Sequence, residues 1–174
     1  MVVSGIESKE DQMASTQQQA HLPALDHHHR EEAGHELQAT LLELVDLSLI
    51  GKQLHWNIFG RPFKPLHEHL DELVDSWRDL SDTVAERAVA IGVAPDGRAT
   101  TVSTGSGIEP VDAGSLDTDT ATHQLVERLE DVTERIRSRM DRLGEIDLAS
   151  QDVLIEVVRD LEKQLWMLRV SLPA

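Results

Sequence analysis

Cysteine is absent from the 174 residues, so disulfides, thiolate zinc sites and cysteine nucleophiles are excluded. Any metal must be held by His, Asp, Glu or backbone oxygen. Tyrosine is absent too, and aromatic residues make up only 3% of the chain against 40% hydrophobic residues in all. A β-sandwich draws on Tyr, Phe and alternating β-branched residues, so this balance favours a helical body packed with Leu, Val and Ala. No run of 18 apolar residues occurs, and the N-terminus lacks the basic-then-apolar profile of a signal peptide. A soluble, cytoplasmic protein with no membrane partner is expected. Basic residues are scarce, 16 against 32 acidic, for a formal net charge of −16. Such a surface attracts cations and repels phosphate backbones, and the few basic residues do not cluster.

What is present is helical periodicity. Residues 1–30 are polar and aperiodic and are expected to form a flexible tail, leaving 31–174 as one domain. From Glu31, apolar residues recur at Leu37, Leu41, Leu42, Val45, Leu49, Ile50 and Leu54, predicting a helix that ends near Gly60. Pro65 suits the opening of a second helix, carried by Leu66, Leu70, Leu73, Val74, Trp77, Leu80 and Val84 and fading at Gly92 to Pro95. Asp96 to Thr118 is rich in Gly, Ser and Thr and too long for an ordinary loop; it reads as a crossover with a short helix near Glu109 to Ala113. A third helix ends around Gly144, and a fourth starts near Ala149. Trp77 and Trp166 fall within apolar periodicities and are expected in the core. Two hairpins joined by one long crossover describe an all-α, ferritin-like four-helix bundle.

The segment HWNIFGRPFKPLHEHLD (His55 to Asp71) sets two histidines either side of a Gly/Pro turn. On the second helix, His67, Asp71, Asp82 and Glu86 fall within one stripe about 100° wide. Yet Asp71 and Asp82 are 11 residues apart, about 16 Å along a helix axis, while metal–oxygen bonds are only about 2 to 2.6 Å long. One straight helix therefore cannot bring both pairs to one ion. Each pair could bind separately or serve structure alone. Alternatively, two copies of the helix could lie antiparallel about a two-fold axis, so that His67 and Asp71 of one chain face Asp82 and Glu86 of the other. His55 can reach the His67 pair across the turn, and such a mixed nitrogen and oxygen set suits iron better than magnesium or calcium.

These residues resemble the first signature of the Dps family, the dodecameric mini-ferritins: His55-Trp56, Ile58, Gly60, Leu66-His67 and Asp71 stand at the family's spacings. DTVAERAVAIGVAP is similar to the second signature through Asp82, Ala85-Glu86-Arg87, Ile91, Gly92 and Pro95. Ser81 departs from it, standing where the family usually has a larger apolar residue, a change that touches packing and no ligand. The resemblance covers roughly residues 33–171. It implies a ferroxidase: a homo-dodecamer whose catalytic, metal-binding centre takes His55, His67 and Asp71 from one subunit and Asp82 and Glu86 from its neighbour. There Fe(II) is oxidised, by hydrogen peroxide in preference to dioxygen, and stored as ferric mineral in the hollow shell, protecting against oxidative damage. Trp56 matches a position that intercepts stray oxidising equivalents.

The resemblance also implies an acidic iron-entrance pore near the start of the last helix, where Asp147, Asp152 and Glu156 fall; helix-dipole complementation is the blander reading of these acids. DHHHREEAGH (26–35) reads either as an accessory metal site or as a His-rich tail without function. His69 and His123 match no ligand. The alternative function is that of a nucleoid-associated, DNA-condensing protein with secondary iron chemistry. DNA-condensing members carry Lys/Arg-rich tails, whereas Met1 to Gly34 holds two basic against six acidic residues, and SLPA adds no basic extension. No DNA-binding residues are expected, and no appreciable DNA binding near neutral pH.

Overall fold

Asp26 opens the first helix, α1 (His27–Asn57), by accepting a bond from the His29 amide at 2.9 Å. Such a cap is worth about 1 kcal/mol. The computed structural model describes residues 25–172. The helix thus begins four residues before the Glu31 start that periodicity suggested, because one polar capping residue sets the boundary and the apolar repeat begins only later. Most of the expected tail lies outside the described residues.

Past Asn57 the chain forms β1 (Ile58–Phe59), turns at Gly60 with φ of +100°, and enters α2 (Phe63–Ala90). Pro65 sits in the first turn of α2, where a missing N–H is tolerated, though Pro62 is the capping position. After α2 comes α3 (Ala99–Gly105), then β2 (Leu116–Asp117), α4 (Thr118–Gly144) and α5 (Leu148–Ser171). The short crossover helix is therefore α3, and not one near Glu109 to Ala113. Asp96 organises its start by accepting from the Arg98 amide at 3.1 Å and the Thr101 hydroxyl at 2.9 Å, and Val102 is buried. Around Glu109, by contrast, Pro110 removes a donor, and the carbonyls of both residues accept from Arg128.

α1 packs chiefly against α2, and α4 against α5. The two hairpins are tied at one end by β1 and β2, which pair in parallel with Ile58 opposite Leu116 and Phe59 opposite Asp117. The core holds the expected stripes, including Leu37, Leu54, Leu70, Leu125, Ile136 and Leu161. Trp77 lies fully inside with its indole N–H donated to Gln164 Oε1 at 2.7 Å. Trp166 is a correction: it is 63% exposed, on the outer side of α5. It lies between Leu165 and Leu168 in sequence but about 100° and 200° round the helix from them, so it falls off the core face.

Across the bundle, Glu43 is buried to 1% exposure and ion-paired with Arg139 and Arg135, while Glu36 accepts two bonds from Arg142 at 2.8 Å. This ladder joins α1 to α4. Burying a carboxylate is tolerable only with such partners.

Candidate metal centre at the α1–α2 turn

The close approach of α1 and α2 sets the site. A Cβ added at Gly51 would meet Val74 Cγ2 at 2.6 Å and Trp77 Cζ3 at 2.8 Å, so glycine lets the helices come together one turn before His55. Beyond that contact, His55 ends α1 and His67 begins α2. Their rings stack with centroids 3.6 Å apart. Phe63 covers the far face of His67 at 5.0 Å.

The two imidazoles are locked reciprocally. His55 Nδ1 lies 3.0 Å from the His67 carbonyl, and His67 Nδ1 lies 3.0 Å from the His55 carbonyl. A carbonyl only accepts, so each Nδ1 carries a hydrogen, and in the neutral ring the lone pair sits on Nε2. This is how metal-binding histidines are commonly oriented. Asp71 joins them, with Oδ1 3.3 Å from His55 Nδ1.

Lys52 was missed in the sequence. Its ammonium donates to Asp71 Oδ1 at 2.6 Å and, with His55, holds that carboxyl below the ordinary carboxylate range. Its position three residues before His55 was the available signal, since i and i+3 share a helix face.

The structure thus gathers His55, His67, Asp71 and Lys52. It does not bring Asp82 and Glu86 to them: both are exposed, about three turns further along α2. Among the described residues of one chain, no three His, Asp or Glu side chains converge to hold a metal ion. Trp56, adjacent to His55, is 69% exposed.

Of the expected pore residues, Asp147 has partners within its own chain. It is the N-cap of α5, accepting from the Ser150 amide at 3.2 Å and from the Arg87 guanidinium at 2.5 Å. Burial raises its pKa, but the bonds from Ser150 and Arg87 prevail and leave it lowered. Its charge is spent locally. Asp152 and Glu156 are exposed and line a depression with Asp79, although Arg159 and Lys163 share it.

In the His-rich segment, His27 and His28 each lie beside a carboxylate one turn on, Glu31 at 3.3 Å and Glu32 at 3.5 Å. His29 lies 3.0 Å from Asp26. Arginines are paired as well, Arg137 with Glu162, Arg169 with Glu130 and Arg98 with Asp96. No described helix is long and apolar enough to cross a membrane.

Residues 34–172 match the family model described as a ferritin-like domain. The chain is 35% identical over 136 residues to DNA protection during starvation protein 2 of Deinococcus radiodurans, covering 78% of this chain but only 56% of that protein's length. Among solved structures, Dps of Mycobacterium smegmatis in its tetragonal form superposes with a TM-score of 0.84 at 30% identity, covering 87% of this chain and 93% of that one. Dps of Microbacterium arborescens in its high iron form gives 0.81 at 33% identity, covering 86% of this chain and 97% of that one.

Proposed function

The chain belongs to the Dps family of ferritin-like, iron-handling proteins, and from that premise we propose that it is a ferroxidase and iron-storage protein working as a hollow shell of twelve copies. The observation that carries this reading is the reciprocal locking of His55 and His67, which turns both Nδ1 atoms to backbone carbonyls and leaves Nε2 of each neutral ring as the available lone pair, with Asp71 Oδ1 3.3 Å from His55 Nδ1.

Fe(II) is the substrate. His55, His67 and Asp71 hold it from one subunit, and Asp82 and Glu86 of a second copy complete the donor set. Neutral imidazole and carboxylate together match the preferences of ferrous ion, and carboxylates favour the ferric product. Hydrogen peroxide is the preferred oxidant: it takes two electrons, one from each of two ferrous ions, so no hydroxyl radical is released. Trp56, exposed beside His55, is placed to give up an electron if oxidation stalls. Lys52 holds the charge of Asp71 until iron displaces it. The ferric product is stored as mineral inside the shell, and Asp152 and Glu156 draw cations towards it.

The test is anaerobic Fe(II) loading followed by peroxide, on the wild type and on His55→Ala/His67→Ala. Fast oxidation in the wild type and loss of it in the double variant are expected; equal rates would place the chemistry elsewhere. Size-exclusion mass must agree, since a stable monomer or dimer cannot enclose mineral.

Protection of DNA follows from removing iron and peroxide and does not require touching DNA. The net charge of −16, repeated twelve times, and the pairing of the arginines with acids both oppose binding to phosphates. A gel shift of plasmid at moderate salt and neutral pH is expected to be negative; retardation would favour the DNA-condensing alternative. Action in the cytoplasm belongs to the same proposal.

A further inference from the structure

The first three turns of α1 carry most of the segment DHHHREEAGH, and its polar side chains divide by the face they occupy. A depression of about 430 Å³ is lined by His28, Glu31, Glu32, His35 and Glu36 of α1 and by Arg142 of α4. Glu36 accepts two bonds from Arg142 at 2.8 Å, so that acid and that cation neutralise each other. What remains on this wall is two imidazoles and two carboxylates, all four of them exposed.

Spacing makes these four a set. Residues three or four apart on a helix are surface neighbours, about 5–6 Å between Cβ atoms. Glu31 and Glu32 each stand in that relation to both His28 and His35, so the carboxylates lie between the imidazoles. An ion at mid-height is about 5 Å along the axis from either histidine. That is within the span of an imidazole and a Zn–N bond of about 2.0–2.1 Å. One edge of the site is already in place. His28 Nε2 lies 3.5 Å from Glu32 Oε1. Two ligands held about 2.1 Å from one ion at the tetrahedral angle stand about 3.4 Å apart. The other two donors have not converged on this pair. Both are surface side chains that reach it by rotation alone, Glu31 by turning from His27, 3.3 Å away. Coordination expels any proton the imidazoles carry, so the assignment does not depend on which ring nitrogen holds hydrogen in the metal-free chain.

The donor set selects the ion. Two nitrogens and two anionic oxygens suit a divalent ion of borderline softness, whereas magnesium and calcium take shells of oxygen. We propose that His28, Glu31, Glu32 and His35 form a second metal site, which takes Zn(II) and clips together the first turns of α1. The site is separate from the iron centre: His28 and His55 stand at opposite ends of α1, about 40 Å apart.

The test is calorimetric titration of the full chain in its native assembly with Zn(II) alone. His28→Gln/His35→Gln should lose one equivalent of Zn(II) per chain relative to wild type. His27→Gln/His29→Gln removes as many imidazoles from the same segment but none from the depression, and should lose nothing. Zinc taken up at the iron centre is common to all three proteins and cancels in the comparison. Co(II) gives a second readout: the strong visible absorption of a four-coordinate ion should appear in wild type and vanish only in His28→Gln/His35→Gln. His28 and His35 are exposed, so their replacement should leave folding intact. Equal uptake by all three proteins overturns the proposal. Equal loss in both double variants does so too, since it would mean adventitious binding by a histidine-rich segment only.

Discussion

His55 and His67 each donate a ring hydrogen to the other's backbone carbonyl at 3.0 Å, so the turn between α1 and α2 and the orientation of both imidazoles are one device. Removing either ring should therefore act twice. His67→Ala is expected to abolish rapid Fe(II) oxidation and also to cost about 1 kcal/mol of stability for the lost bond. Stopped-flow oxidation and urea unfolding separate the two; a variant with normal oxidation would remove His67 from the centre.

Lys52 donates to Asp71 Oδ1, so in the proposed centre it would compete with iron for that oxygen. Lys52→Met should raise anaerobic Fe(II) affinity several-fold, read by calorimetry. It should also let the Asp71 carboxyl rise towards its ordinary range, because Lys52 is the main cause of its depression. Protons then compete earlier as pH falls, and iron binding by the variant should fade at a higher pH than in wild type. Parallel pH profiles would show that Lys52 does not control this carboxylate.

Asp147 both caps α5 and pairs with Arg87. Its pKa is lowered in the folded chain, so its contribution is complete above the ordinary carboxylate value, about pH 4, and is lost as pH falls through the folded value. Asp147→Asn keeps a good cap and removes the charge. A loss of about 1.5 kcal/mol is expected at neutral pH, shrinking towards zero in acid, as thermal unfolding across pH would show. Iron uptake should slow more in Asp152→Asn than in Asp147→Asn, since among the described residues Asp147 is paired with Arg87 and Ser150 while Asp152 is exposed.

Glu43 pairs with both Arg135 and Arg139 at the centre of the ladder. Glu43→Ala leaves a buried guanidinium without its main partner and should cost about 3 kcal/mol. Denaturant unfolding measures it; a change below 0.5 kcal/mol, the usual limit for surface sites, would mean that the ladder contributes little.

Gly51→Ala should cost about 1–3 kcal/mol, because its methyl group collides with Val74 and Trp77, both of them buried in the core. The same push would separate α1 from α2 near His55, so iron oxidation should slow in proportion.

Much of this was legible in the sequence because four long apolar stripes repeat at helical spacing, and the His55 to Asp71 signature spans one turn whose geometry Gly60 constrains. What escaped was decided by partners distant in sequence. Glu43 and Arg139 look like ordinary surface charges until α1 meets α4. Trp166 shares a helix with core leucines yet points outward. The short helix settled at α3 because Asp96 gathers the Arg98 amide and the Thr101 hydroxyl there, a preference no apolar repeat reveals. Lys52 stayed hidden because a lysine three residues before a histidine is unremarkable until a carboxylate from the next helix reaches it.

The charged ladder along the bundle axis has a consequence for newly made chains. With Glu43 and Glu36 already clamped by three guanidiniums, these two carboxylates are spent on holding α1 to α4 and are not vacant ligands for iron. In the proposed two-copy centre a nascent copy would then hold only half of the donor set, at His55, His67 and Asp71, so rapid oxidation should begin only once it docks against a sibling.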